Sequence, residues 1–124
     1  ERSETTVKKI NRKVKLREEI KSMYEHKCQV CGILLEKPNG AIAIGAHIKG
    51  LGEPHNGPDA LENMLCLCPN HHDQLDALSF YIEPSTLEII GLKELNGKKL
   101  FCKSVHKIDT NFLEYQKNRY LKVN

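Results

Sequence analysis

At 124 residues and 40% apolar content, the chain has material for one domain with one modest core. Its five cysteines exclude a complete set of internal disulfides. The net charge of +3 is compatible with nucleic acid, but an ordinary solvated surface carries as much, so it decides nothing alone.

Residues 5–26 read as a helix, with Val7, Ile10, Val14, Ile20, Met23 and Tyr24 at helical spacing. Lys8, Lys9, Arg12, Lys13, Lys15, Arg17 and Lys21 fill the other faces. They form either a solvated surface or a phosphate-contacting one, and charge runs of this kind are usually only solvated. Cys28 to Gly32 is a tight knuckle, and Pro38-Asn39-Gly40 is a turn. Ile42 to Ile48 reads as a buried strand ending near His47, followed by a Gly/Pro loop over residues 49–60. Met64 to Leu67 is a second strand, and Pro69 or Asn70 opens a helix that runs to about Leu78. The order strand, loop, strand, helix is a ββα unit. In the tail, Phe80–Glu83 and Leu87–Gly91 form a strand pair, Lys99–Val105 a third strand, and Asn111–Leu121 a closing helix. No internal boundary appears, so residues 1–124 read as one domain with a knuckle and core over 28–78 and a β/α tail over 79–124. The chain starts at Glu1 without Met, which suggests a piece of a longer protein with a partner domain on its N-terminal side.

No signal peptide or apolar run of membrane length occurs in these residues, which points to a reducing, cytoplasmic setting and no membrane partner. There, Cys28-x-x-Cys31 with a later Cys/His pair means metal more often than disulfide. Tetrahedral zinc needs four ligands. Cys66 and Cys68 are two apart and would share a strand face, whereas Cys68 and His71 have the two intervening residues of a knuckle or helix start. The expected ligands of a structural Zn²⁺ are therefore Cys28, Cys31, Cys68 and His71. Cys66 and Cys102 are expected to be small core residues. A redox pair at Cys28 and Cys31 is the rival, but it has no thioredoxin-like βαβ context and leaves the second pair unexplained. His72 and Asp76 stand four apart, so on a helix they share one face and can grip one cation.

His47 after Ala46, then Asn63, then His72 within Pro69-Asn70-His71-His72, are separated by sixteen and nine residues. This pattern resembles the HNH endonuclease motif. From Cys28 to Asp76 the text is similar to the nuclease domains of modification-dependent, McrA-like restriction enzymes, which often follow an SRA domain that reads modified bases. The resemblance implies an α+β fold: a ββα-metal (His-Me finger, HNH) core stapled by zinc and flanked by N-terminal and C-terminal helices. It implies a DNA endonuclease in a bacterial cytoplasm with a nucleoid-associated substrate, and a modified-base-reading domain N-terminal to this chain.

The resemblance also assigns roles. His47 is the general base, Asn63 holds the loop so that His47 faces the phosphate, and His72 binds a divalent cation, Mg²⁺ or Mn²⁺. Many relatives have a metal-binding Asp or His before the first histidine. Ala46 cannot coordinate, so Asp76 is the expected replacement ligand, with a helix-surface carboxylate as its bland alternative. Taken alone, His47 would be a satisfied core histidine; taken with Asn63 and His72 it reads as catalytic. His55 and Asp59 either shape the rim of the site or stabilise the loop, and His26 and His106 read as surface residues. Double-strand cutting with one such site needs a second copy, which makes a homodimer on DNA an expectation. The rival functions are a non-catalytic zinc module that binds nucleic acid, and a homing or RNA-directed nuclease of the same chemistry.

Overall fold

The computed structural model describes residues 4–124, with side chains from residue 14 onward. The side chains of Lys8, Lys9, Arg12 and Lys13, and with them much of the basic surface considered above, lie outside the described residues. The elements run α1 (Glu4–Met23), β1 (Leu35–Lys37), β2 (Gly40–Ile42), β3 (Ile44–His47), a 3₁₀ turn (Leu61–Asn63), β4 (Met64–Leu67), α2 (Pro69–Asp76), β5 (Tyr81–Ile82), β6 (Ile89–Ile90) and α3 (Thr110–Val123). This is a small α+β domain with helices at both ends. No described helix is long and apolar enough to cross a membrane.

The organising unit is the antiparallel pair β3–β4, registered Ile44 to Leu67 through His47 to Met64. All four residues of β4 are buried, so it is read from both faces and carries no polar alternation. On one face Ala46, Leu65, Leu67 and Leu75 join Phe80, Ile82, Ile89 and Leu113 in the main core. On the other, Met64 and Cys66 pack against Ile20 and Tyr24 of the α1 end. The two faces of one hairpin thus seat the N-terminal helix and the tail. Of the apolar residues read at helical spacing in α1, Val14 is 45% exposed and contributes nothing to this core. The helix stops at Met23 because Glu25 and His26 adopt left-handed backbone conformations that no helix continues.

The expected strand over Ile42–Ile48 is in fact split. Ile42 ends a separate hairpin with β1, turning through Pro38-Asn39 with Asn39 at a positive φ, and β3 begins only at Ile44. The third tail strand does not form. Lys99 makes one bridge to Glu88, Leu100 N–H donates to Leu87 O, and Phe101 N–H then leaves the tail to donate to Gln29 O at 2.9 Å. The segment is divided between two partners and pairs as a strand with neither. His106, expected at the surface, is likewise buried, at 4% exposure. Its Nδ1 accepts from the Tyr24 hydroxyl at 2.5 Å and its Nε2–H donates to Leu61 O at 3.1 Å, so it joins α1, the tail and the turn before β4.

Candidate metal centre and catalytic cleft

Cys28 and Cys31 sit just past α1, where Gly32 closes the turn at φ +79° and donates its N–H to Cys28 O. Cys68 caps α2, with Pro69 at the first helical position, and its carbonyl accepts from His72 N–H. Gln29 ties the two halves together: its backbone N–H donates to Cys66 O, its Oε1 accepts from Cys66 N–H at 2.8 Å, and its Nε2 donates to Phe101 O. The ligand atoms of Cys28, Cys31, Cys68 and His71 consequently lie within 4.8 Å of one another. Individual separations are 3.3 Å from Cys68 Sγ to His71 Nδ1, 3.7 Å from Cys28 Sγ to the same nitrogen, and 4.0 Å from Cys31 Sγ to Cys68 Sγ. A tetrahedron with Zn–S near ~2.3 Å has sulfur–sulfur edges of about 3.8 Å, so the cage is the right size for zinc. Desolvation keeps His71 below the ordinary histidine value, in the neutral form that ligates, and raises the Cys31 thiol to about 12 beside its neighbouring cysteines. Three crowded sulfurs become thiolates readily only with a cation among them.

Cys66 points away from this cage into the second core, and burial pushes its thiol up to about 11. Cys102 is only half-buried and makes weak S–H contacts to Lys103 O and His106 O, so it is not a core residue.

The second constellation lies at the other end of β3. Asn63 is fully buried and clamps the loop: its Oδ1 accepts from Lys49 N–H at 2.8 Å, and its Nδ2 donates to Lys49 O at 2.9 Å and Pro58 O at 2.8 Å. Gly57 makes the clamp sterically feasible, since a Cβ there would stand 2.2 Å from Lys49 O. Within the clamped loop, Asp59 Oδ1 lies 2.9 Å from His47 Nε2. An ionised carboxylate only accepts, so the proton sits on Nε2 and Nδ1 keeps its lone pair. Asp59 is the neighbour the sequence left undecided. It lies twelve residues beyond His47 across a Gly/Pro loop, a pairing that no periodicity encodes.

On α2, His72 Nε2 and Asp76 Oδ2 stand 3.3 Å apart, as their four-residue spacing requires. Adjacent ligands of a six-coordinate hard cation are about 3 Å apart, so the two atoms fit a pair of cis positions. Among the described residues no third His, Cys, Asp or Glu completes a cluster with them. Ala46 is buried in the main core and offers no donor. His47 and Asp76 line one cleft of about 200 Å³, together with Ile48, Gly50, His55, Leu75, and Gln116 and Arg119 from α3. His47 and the α2 carboxylate therefore face a common space. The contribution of α3 went unrecognised in the sequence, where its residues read only as packing.

Residues 28–83 match the HNH endonuclease family model. A solved structure described as the modification-dependent TagI restriction endonuclease is similar over 85% of this chain and 37% of that chain, with a TM-score of 0.79 and 37% sequence identity. No curated protein matches. The chain thus spans little more than a third of the TagI length.

Proposed function

Because residues 28–83 form an HNH endonuclease domain, we propose that this chain is the metal-dependent DNA-cleaving module of a modification-dependent restriction enzyme. The observation that carries the reading is the shared cleft of His47 and Asp76, with His47 fixed by Asp59 and its loop fixed by Asn63. Asp59 holds the imidazole by Nε2, so His47 Nδ1 is the nitrogen left to take the proton from the attacking water. Asn63 works through the backbone, holding Lys49 and Pro58 so that Asp59 and His47 remain in register. His72 and Asp76 would hold the divalent ion, Mg²⁺ or Mn²⁺, with water and phosphate oxygens filling the remaining positions. When bound, that ion supplies charge stabilisation at the phosphate and the leaving oxygen. Cys28, Cys31, Cys68 and His71 would hold zinc in a closed shell, remote from the chemistry. Recognition of a modified base is assigned to an N-terminal domain of a longer protein. Cutting both strands calls for a second copy on the DNA.

A plasmid-nicking assay tests this. Supercoiled DNA is expected to be nicked with Mg²⁺ or Mn²⁺ and left intact with EDTA. His47→Ala is expected to lower the rate by roughly 10²–10⁴-fold, the usual contribution of a general base, with circular dichroism and zinc content unchanged. Nicking by that variant at the wild-type rate removes His47 from the mechanism. No nicking by the wild type leaves the non-catalytic DNA-binding module.

A further inference from the structure

Two polar side chains of α3 reach the cleft, and their roles in the fold do not account for them. Gln116 is 2% exposed. Its Nε2 donates to Phe80 O at 2.7 Å, which fixes the amide and identifies Oε1 as the other end. Among the described residues, Oε1 is buried without any hydrogen-bond partner. An acceptor left in that state is unfavourable, so its retention points to a donor that arrives later. Arg119 is one turn further along the same helix face, lines the same cleft, and has no carboxylate partner among the described residues. A guanidinium carries five N–H donors in a rigid fork, enough to serve a phosphate and a neighbouring amide together.

The helix carrying the pair is held in place. The Tyr115 hydroxyl bonds His55 Nδ1 at 2.5 Å, Lys49 Nζ lies 4.6 Å from the Tyr115 ring centre, and Lys117 pairs with Glu83 at 2.7 Å. These contacts tie α3 both to the loop that carries Asp59 and to the edge of β5.

We propose that Arg119 grips a DNA phosphate in the cleft and that Gln116 is its positioning residue: the guanidinium gives two N–H groups to phosphate oxygens and one to Gln116 Oε1. The inference rests on the nuclease reading above and adds the element that holds the substrate backbone. Arginine and phosphate match in charge and in two-point geometry.

The test measures duplex DNA binding over a salt series without added Mg²⁺ or Mn²⁺, and plasmid nicking with Mg²⁺. Arg119→Ala is expected to weaken binding about tenfold and to lower the slope of log affinity against log salt by about one, the signature of one lost phosphate contact. Arg119→Lys should restore the slope but not the nicking rate, because the fork is gone. Gln116→Leu should leave the slope unchanged and slow nicking about tenfold in the wild-type background, yet change little in the Arg119→Ala background. A residue with a merely structural role would slow both backgrounds equally. Gln116→Met, closer in shape, serves if the leucine variant does not fold. Wild-type binding and nicking by Arg119→Ala, or independent effects of the two substitutions, overturn the inference alone. A wild-type chain that neither binds nor nicks DNA overturns the nuclease reading and the inference together.

Discussion

At the knuckle, four ligand atoms from the end of α1 and the start of α2 converge within 4.8 Å, and Cys28 and Cys68 are almost wholly buried. Further along α2, His72 and Asp76 offer two atoms; of these two residues Asp76 lines the cleft, and its carboxylate side chain is 64% exposed. The same helix therefore contributes to a four-atom soft-ligand set at its start and presents a two-atom nitrogen–oxygen pair at its end. A filled tetrahedron leaves no position for substrate, so its effect goes into the fold. On the proposed reading, an open pair would leave most of a cation's shell to water and phosphate, so its effect would go into chemistry. The two sites should consequently fail in different ways.

The largest expected effect is at the knuckle. Binding of a structural zinc is worth about 10 kcal/mol or more, comparable to the entire stability of a small domain. Cys28→Ser is expected to lose the metal and unfold. Metal analysis should find about one tightly held zinc per folded wild-type chain, and circular dichroism should show the variant disordered. Folded wild-type protein without zinc, or a folded Cys28→Ser chain, would erase the distinction between the two sites.

The next effect is confined to the cleft. Asp59→Asn removes the acceptor-only partner of His47 and allows the wrong imidazole tautomer. Losing an orienting carboxylate of this kind typically costs about 10–100-fold. The nicking rate should fall by that factor while the thermal midpoint moves by only a few degrees and zinc is retained. A rate equal to wild type would show that Asp59 merely closes the loop, and loss of zinc would show that cleft and knuckle are coupled.

What could be read in the sequence follows the same division. Cys28 and Cys31, Cys68 and His71, and His72 and Asp76 are pairs within one turn, and a short covalent path fixes their geometry whatever surrounds them. The hairpin β3–β4 and helix α2 were legible for a related reason: continuous apolar runs bounded by Gly, Pro and a cap. Asp59, Gln116 and Arg119 were not, because the clamp at Asn63 and the packing of α3 bring them to the cleft, and neither leaves a spacing signal. The tail misled for the converse reason. Phe101 alternates like a strand residue, yet its N–H is taken by Gln29 of the knuckle, and His106, in a polar stretch between Lys103 and Lys107, lies buried between Tyr24 and Leu61.

The smallest effect concerns acid, and it separates the fold from the cleft on one axis. Burial holds the His106 pKa below its ordinary 6.5, so the folded state keeps this ring neutral. Lys103 is the charged group beside it, through its N–H to the Tyr24 hydroxyl and its ammonium 5.9 Å from that ring. Since the unfolded chain binds the proton more readily, stability is full above the unfolded value and falls as pH drops below about 6.5. The loss between pH 6.5 and 5.5 is at most about 1 kcal/mol for a single histidine. The lowered carboxylates Glu18 and Glu83 act below their ordinary 4.5 and stay outside this window. Urea titrations at the two pH values should show the decline in the wild type and a flatter response in His106→Gln, whose amide can still bond the same neighbours. An equal decline in both would place the acid-sensitive group elsewhere, with the knuckle ligand His71 the next to test, and would tie the pH response to the metal shell instead of to the packing of α1 against the tail.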